Sequence, residues 1–312
     1  MADTLLPDRH KQRNFFTCDI FDSFKDDIAS MEHPVFSLSK KPDHRMLKYE
    51  RNGTTIKIKP SYTGLATIFD KDILLYLASS LMNAKNSGEA ISQTVRFTSY
   101  DYIISTNKSL GGTQYQLLKE GLERLNGTLI QTNIKTGSVE ETKEFGLIES
   151  WGIVKEDAKG KAIAIEVKLS DWFYNSILGD AVLTIDKDYF RLRKPTERRL
   201  YELARKHCGN QVAWKISLVN LKEKLGVTSQ MKLLRFNIKK ITETNHLPEY
   251  NISMENDIVM FSRKEPPKEN NVPAGLSKYV TKKEIEKQAK PGESYEQAAN
   301  RIKGLKAALG KK

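Results

Sequence analysis

Three cations, Lys232, Arg235 and Lys239, recur at spacings of three and four residues in the segment 229–241. An α-helix brings side chains at these spacings onto one face. The same periodicity collects an apolar set on the opposite face: Met231, Leu234, Ile238 and Ile241. Lysine and arginine on a helix face attract phosphate oxygens, and an arginine there can donate two hydrogen bonds to the edge of a guanine. The segment therefore predicts a helix that binds nucleic acid; the alternative is a solvated basic face.

The order of residues along this helix suggests which of them reach bases. In a helix that enters the major groove, residues near the N-terminus approach base edges and flanking residues contact phosphates. Thr228 or Ser229 would cap the helix, and Gln230 would lie at its leading end. We predict DNA contacts from these residues of the segment: Ser229, Gln230, Lys232, Arg235, Lys239 and Lys240.

A second basic segment, residues 189–209, precedes this helix. It combines a helical apolar stripe of Leu200, Leu203, Ala204 and His207 with a dense set of arginines and lysines. We predict phosphate contacts from its most basic part: Arg191, Arg193, Lys194, Arg198 and Arg199. The alternative is paired charge, because Glu202 precedes Lys206 by one helical turn.

The positive charge of the chain is localised. Residues 1–188 have 24 Lys+Arg against 26 Asp+Glu, residues 189–264 have 16 against 7, and residues 265–312 have 11 against 6. A polymer of phosphates is the partner that such a local excess suggests.

Composition limits the class of protein. At 312 residues with 39% apolar residues, the chain has room for about two ordinary domains. Its densest apolar run, residues 73–78, is far shorter than the roughly 20 residues that a bilayer requires, so no membrane partner is expected. The first ten residues lack the pattern of a secretory signal. Two distant cysteines do not form a disulfide framework, and the cytoplasm is the expected compartment.

The elements of the first half can be read from periodicity and turn signals. Residues 46–59 alternate on either side of Asn52-Gly53, which predicts a hairpin. Helices are expected at 70–84, capped by Asp70, at 98–105 and at 112–125, with strands at 94–97, 128–134, 144–155 and 161–169. The third helix would bury Tyr115, Leu118, Leu122 and Leu125.

The second half repeats this order. Helices at 195–208, 217–225 and 229–244 alternate with strands at 213–216, 249–253 and 257–262. Helix, strand, helix, helix and β-hairpin is the order of a winged helix. The predicted fold class is therefore α+β, with two tandem winged-helix domains.

We predict four regions from these patterns. Residues 1–44 form an irregular N-terminal arm that lies on the first domain, 45–180 the first winged helix, 181–264 the second, DNA-binding winged helix, and 265–312 a basic linker and tail. The tail is expected to be largely disordered, with short helices at 281–290 and 293–309 that have little to bury. In the first domain, the helix equivalent to 229–244 offers a less charged face, either for DNA or for a structural role: Thr113, Gln114, Gln116 and Lys119.

Catalytic signals are missing from the sequence. The five histidines form no His-x-His pair, and no phosphate-binding loop of the Gly-x-x-x-x-Gly-Lys type occurs. The pairs at Asp70 and Asp72 and at Asp186 and Asp188 could hold a metal, although helix capping is favoured. We predict a protein with no catalytic residues, no metal and no cofactor.

Five segments resemble the bacterial replication initiator protein A family of broad-host-range plasmids. They are DIASMEHPVFSL at 27–38, TVRF at 94–97, FGLIES at 145–150, LSDW at 169–172 and DYFRLRKPTERRLYELARKHCG at 188–209. The resemblance covers most of residues 7–262.

The resemblance implies an initiator that binds repeated sequences in double-stranded DNA at a plasmid origin and helps to melt an adjacent AT-rich segment. It also implies host partners, namely the host replication initiator and the replicative helicase machinery. By analogy with other initiators that have tandem winged helices, the first domain would form a homodimer interface. Two alternatives stay open: a transcriptional repressor that uses the same domains on a promoter, which can include that of its own gene, and a nuclease that nicks the origin.

Overall fold

The computed structural model has a mixed α/β fold. It describes residues 5–10, 15–18, 35–51, 54–136, 139–155, 162–179, 182–208, 211–265 and 295–309, with 276, 279–281, 284–285 and 288 between the last two ranges. No helix in this described part is both long and apolar enough to cross a membrane. The turn at Asn52-Gly53 and residues 19–34, which hold part of the family-like segment at 27–38, lie outside it.

The described residues contain eight α-helices and twelve strands. The helices are α1 (Lys71–Asn86), α2 (Ser99–Ser105), α3 (Gly112–Gly127), α4 (Asp171–Leu178), α5 (Pro195–His207), α6 (Leu218–Leu225), α7 (Met231–Thr244) and α8 (Tyr295–Leu309). The strands are β1 (Phe15–Cys18), β2 (Leu47–Arg51), β3 (Thr54–Lys59), β4 (Thr94–Phe97), β5 (Leu129–Thr136), β6 (Val139–Gly146), β7 (Ile148–Lys155), β8 (Ala162–Leu169), β9 (Val182–Ile185), β10 (Ala213–Ser217), β11 (Tyr250–Glu255) and β12 (Ile258–Arg263). A 3₁₀ helix, Lys187–Arg191, precedes α5.

The two halves of the chain repeat one arrangement. In the first repeat α1, β4, α2, α3, β7 and β8 follow one another, and in the second α5, β10, α6, α7, β11 and β12 do so. Each repeat contains a three-stranded antiparallel sheet whose last strand lies in the middle. The strand orders are β4-β8-β7 and β10-β12-β11. The element order predicted from the sequence is therefore present in both halves.

The first repeat carries an additional sheet that the sequence prediction missed. Strands β2, β3, β5 and β6 form an antiparallel sheet in that order. It combines the predicted hairpin, β2 and β3, which precedes α1, with β5 and β6, which are inserted between α3 and β7. The prediction of one strand at 144–155 is wrong, because β6 ends at Gly146 and β7 begins in a different sheet at Ile148. Leu147 is fully buried between them, and a Cβ on Gly146 would come within 2.9 Å of the Ile148 carbonyl oxygen.

Each repeat has its own apolar core, and α1 contributes to both. Leu74 and Leu77 belong to the first core, which includes the buried leucines of α3, whereas Leu75 belongs to the core of the second repeat with Tyr189 and Leu200. The predicted inner face of α3 is confirmed, since Leu118, Leu122 and Leu125 are buried and Tyr115 packs against them. Helix α1 therefore links the repeats by apolar contact.

The N-terminal segment contacts both repeats, although the sequence analysis placed the arm on the first alone. The Leu6 amide donates to the Arg191 carbonyl (2.9 Å), in the second repeat. The Arg9 amide donates to Asn107 Oδ1 (2.7 Å), in the first. Strand β1 pairs with β9, which lies between the repeats in sequence.

Asp70 does not cap α1 with its side chain, contrary to the prediction. Its carboxylate accepts hydrogen bonds from the Thr67 amide (2.7 Å) and from Nε and Nη2 of Arg124 (2.8 Å each). By contrast, Asp186 accepts from the Asp188 amide (2.8 Å) and caps the 3₁₀ helix, as predicted.

The C-terminal segment forms a small cluster. Helix α8 agrees with the predicted helix at 293–309, but the expectation that it has little to bury is wrong, because Ala298, Ala299 and Ile302 are buried with Ile285 and Val280. Lys306 Nζ donates to the Tyr279 carbonyl (3.0 Å), and this hydrogen bond connects α8 to the residues before it.

Candidate nucleic-acid interface

Helix α7 separates an apolar from a basic face, as the sequence predicted. Leu234, Ile238 and Ile241 are buried in the core of the second repeat. The basic side chains of the helix are all exposed: Lys232, Arg235, Lys239 and Lys240. The only acidic residue of the helix is Glu243, in its last turn. The outward surface is therefore positively charged over most of its length.

The ends of α7 are held differently from the prediction. Its N-cap residue is Gln230, which makes no capping hydrogen bond through its side chain. Ser229 is half-buried just before it, and the Thr228 hydroxyl accepts a hydrogen bond from Arg45 Nη1 (3.2 Å) instead of capping. At the other end Asn245, in a left-handed conformation, accepts from the Ile252 amide (2.8 Å) and so connects the helix to β11.

Arg235 is held by the turn between β11 and β12. Its Nε and Nη2 donate to Oδ1 and Oδ2 of Asp257 at 2.7 and 2.6 Å, and both side chains remain about half exposed. Hydrogen bonds from Arg235 keep the pKa of Asp257 below its ordinary value. Asn256 and Asp257 both have positive φ, which is typical of a tight two-residue hairpin turn. Because the Asp257 carbonyl also accepts from the Leu218 amide (2.7 Å), this turn contacts both α6 and α7.

This ion pair leads to a prediction about the variant Asp257→Asn. Asparagine tolerates the same backbone conformation but removes the negative charge from the basic face, so Arg235 becomes available to an anion. Affinity for random duplex DNA at about 150 mM salt should rise several-fold, with a salt slope steeper by about one unit. Titration of the wild type and the variant at several salt concentrations measures both quantities. An unchanged slope would show that Arg235 does not contact phosphates.

Arg198 does not have the predicted position on the surface. It is buried, and its Nη1 donates to Asp72 Oδ1 on α1 (2.6 Å) while its Nε donates to the Leu192 carbonyl (3.1 Å). Its guanidinium also lies over the rings of Phe69 and Tyr189, 4.6 and 5.0 Å from their centroids. The prediction that Arg198 contacts phosphate is therefore wrong for this conformation: the residue joins the two repeats.

Two further arginines of this segment are occupied inside the protein. Arg199 Nε donates to the Lys224 carbonyl (3.1 Å), and its Nη1 lies 3.4 Å from Glu202. Arg191 Nε donates to the Leu6 carbonyl (2.7 Å). Both side chains are mostly covered, which does not favour the phosphate contacts predicted for them.

The alternative of paired charge is correct for Glu202, although with different partners. Glu202 accepts from Lys71 of the first repeat (2.9 Å) and from the Tyr189 hydroxyl (2.8 Å). Burial raises its pKa, but the charges of Lys71 and Arg199 outweigh that effect, so the pKa lies below its ordinary value. This is a second ionic link between the repeats.

Arg193 and Lys194 stay nearer to the surface. Arg193 is exposed, and Lys194 lies 3.5 Å from Glu197. Arg193 and Gln114, which were predicted separately, line one cavity of about 510 Å³, whose other lining residues belong to the first repeat and to the segment before it. Within the second basic segment, Arg193 is thus the predicted contact that best retains access to a ligand.

The face of α3 differs in charge from that of α7. Thr113 is exposed, Gln116 donates to Glu120 (3.0 Å), and Lys119 is half-buried. Glu120 and Glu123 balance the two cations of the helix, and one of these, Arg124, is held by Asp70. The outward face of α3 is therefore less positively charged than that of α7, which makes α3 the weaker candidate for DNA contact.

Three residues at these sites were not identified from the sequence. Asp257 lay at the start of a predicted strand, and the Asn256-Asp257 pair was the available signal of a turn. Leu233 and Phe236 are large apolar side chains on the outward side of α7, and they could have been found because neither fits the apolar periodicity of the helix.

The match to known sequences decides the family. The family model described as replication initiator protein A matches residues 25–252. The chain belongs to this family. A "Putative replication protein" of Wigglesworthia glossinidia brevipalpis is 43% identical over 267 residues, which cover 83% of this chain and 96% of that protein.

The initiator's fold is also similar to solved structures. A crystal structure of domains 2 and 3 of RctB matches with a TM-score of 0.56 at 12% identity and covers 76% of this chain and 96% of that one. A second RctB structure of the same domains matches with a TM-score of 0.53 at 12% identity, covering 73% and 94%. Because only 12% of the residues are identical, the similarity to these structures is evidence for a shared fold alone.

In the part of the initiator that the structure describes, no three His, Cys, Asp or Glu side chains are grouped in a way that could hold a metal ion. His207 stacks on Trp214, with ring centroids 4.3 Å apart, and Cys208 is buried, so the end of α5 is packed. Asp72, considered as a metal ligand, is instead the partner of Arg198 and Lys108.

Proposed function

We propose that this initiator binds repeated sequences in double-stranded DNA at a plasmid origin, promotes opening of the origin and recruits the host replication initiator and helicase machinery. The observation that carries the proposal is the exposed cationic face of α7, in a chain that belongs to a replication initiator family. A major groove is wide enough to admit an α-helix, and phosphates on both sides attract such a face.

The arrangement of the repeats supports winged-helix domains. In each repeat three helices pack on a three-stranded sheet whose last strand is central, and the third helix is α3 or α7. In a helix-turn-helix unit this helix enters the major groove. We assign base reading and phosphate contact in the second repeat to α7, with Arg193 and Lys194 as flanking phosphate contacts. The first repeat, with its neutral α3, serves a structural or dimer-forming role.

A replication assay tests the proposed function. A plasmid whose own origin is inactive in the host, and which carries the DNA flanking this gene, should be maintained only when the chain is supplied in trans. Loss of the plasmid both with and without the chain supplied in trans would contradict the proposal. Repression of a reporter promoter without any effect on maintenance would favour the repressor.

The initiator is proposed to have no catalytic activity of its own. Supercoiled DNA that carries the origin should stay intact after incubation with the protein and Mg²⁺ or Mn²⁺. Conversion of this DNA to open circles would establish the nicking nuclease instead, provided that a variant without the lysines of α7 does not cause the same conversion.

Arg235 and Lys239 are expected to play different roles in binding. Arg235→Ala should lower affinity for a preferred site about ten- to a hundredfold, with little effect on random duplex, because an arginine that donates two hydrogen bonds discriminates among bases. Lys239→Ala should weaken binding to both duplexes alike and reduce the salt slope by about one unit. Equal losses on both duplexes for Arg235→Ala would remove its role in reading a base.

A further inference from the structure

Two large apolar side chains project from the outward side of α7. Leu233 and Phe236 are 52% and 54% exposed, although both lie in the first half of a helix whose inner face is fully packed. They are three residues apart, so a helix places them about 60° from each other on one side. Neither belongs to the core of the second repeat, so packing among the described residues gives no reason for them.

The surroundings of this apolar pair are cationic. Phe236 lies between Lys232 and Lys240, one helical turn from each, and Lys240 Nζ is 4.5 Å from the centroid of its ring. Arg235 and Lys239 occupy the neighbouring part of the surface. This combination requires an occupant that is anionic and also presents apolar groups.

A second copy of the chain does not meet that requirement. In a twofold dimer the same patch faces itself, which would bring the lysines of both copies together around the apolar contact. Duplex DNA does meet it, because phosphates line the groove and thymine exposes its C5-methyl group in the major groove.

We propose that Leu233 and Phe236 read thymines by apolar contact with their C5-methyl groups. The inference rests on the proposed function, since it assumes that α7 enters the major groove. Phe236 supplies a flat apolar surface that Lys232 and Lys240 keep aligned with the phosphates, and Leu233 extends the surface toward the N-terminal end of the helix. The preferred site of the initiator then contains thymine where α7 lies, in addition to any base read by Arg235.

Replacement of thymine by deoxyuridine isolates this contact, because only the methyl group is lost. The probe is the duplex that the full-length chain enriches most from a random pool, synthesised with thymine or with deoxyuridine at each position in turn. The wild type should lose about fourfold in affinity at each contacted thymine, the effect of one buried methyl group. The difference should vanish in Phe236→Ala or Leu233→Ala and be largely kept in Phe236→Leu.

Leu305→Ala provides a matched control, because Leu305 is 50% exposed on another helix, and it should leave the loss unchanged. A wild type that binds its enriched site equally with thymine or deoxyuridine at every position would overturn the inference while leaving the proposed function intact. So would a thymine preference unaffected by both alanine variants, or a dimer that dissociates in Phe236→Ala with the preference preserved. If no duplex is enriched, the proposed function fails and the inference fails with it.

Discussion

Replacing Asp72 by alanine should lower the free energy of unfolding by about 3–5 kcal/mol. The Asp72 carboxylate is fully buried and accepts from Arg198 Nη1 at 2.6 Å and from Lys108 Nζ at 2.8 Å. Without it, the Arg198 guanidinium stays buried between the repeats with no compensating anion. Removing one member of a buried ion pair has this cost because the remaining charge keeps its desolvation penalty. Unfolding in denaturant, followed by tryptophan fluorescence, measures the change.

Two controls separate the buried charge from other effects of the substitution. Asp257→Asn removes the charge from an equally short pair with arginine, but at the surface and in a residue that tolerates the left-handed backbone there, and should leave the unfolding midpoint nearly unchanged. The double variant Asp72→Leu with Arg198→Met should recover much of the lost stability, because it removes both buried charges. A denaturant midpoint for Asp72→Ala equal to that of the wild type would contradict the importance of this link between the repeats.

Replacing Lys232, Lys239 and Lys240 together by alanine should lower affinity for duplex DNA by about a hundredfold at about 150 mM salt. Each lysine that neutralises a phosphate releases a counterion, so the slope of log affinity against log salt should become shallower by about three units. None of the three side chains is buried, and the apolar face of α7 is unchanged, so the fold should be retained. Fluorescence anisotropy of a labelled duplex at several salt concentrations measures the slope.

The matched control removes the same charge elsewhere. Lys40 and Lys41 lie in the N-terminal arm and Lys48 lies on β2. All three are exposed, and their replacement by alanine lowers the net charge by the same amount. If the position of the charge matters, this variant should keep most of the affinity and most of the slope. Equal losses in the two triple variants would indicate attraction by net charge alone and contradict the assignment of DNA contact to α7.

Local patterns in the sequence were sufficient for much of this account. The inner faces of α3 and α7 follow from the spacing of their leucines and isoleucines, since helix periodicity acts over a few residues. The repeated order of helices and strands follows in the same way. The exposed cations of α7 were predicted correctly, because their spacing excludes them from the buried face.

Contacts between distant residues could not be obtained in this way. Arg198 was expected on the surface because it lies outside the apolar stripe of its helix, yet its partner Asp72 lies 126 residues earlier in the chain. The division of residues 144–155 into two strands depends on the burial of Leu147, which only the packing of two sheets determines. The pairing of Arg235 with Asp257 likewise depends on the position of a hairpin turn beside α7.

Helix α7 is proposed to enable the initiator to bind duplex DNA in a sequence-dependent way. Selection from a random pool of duplexes, followed by competition at about 150 mM salt, tests this proposal most directly. The pool should converge on one motif, present in repeats at the origin, that binds about a thousandfold or more tighter than random duplex. A pool that fails to converge, with all duplexes competing equally, would contradict it.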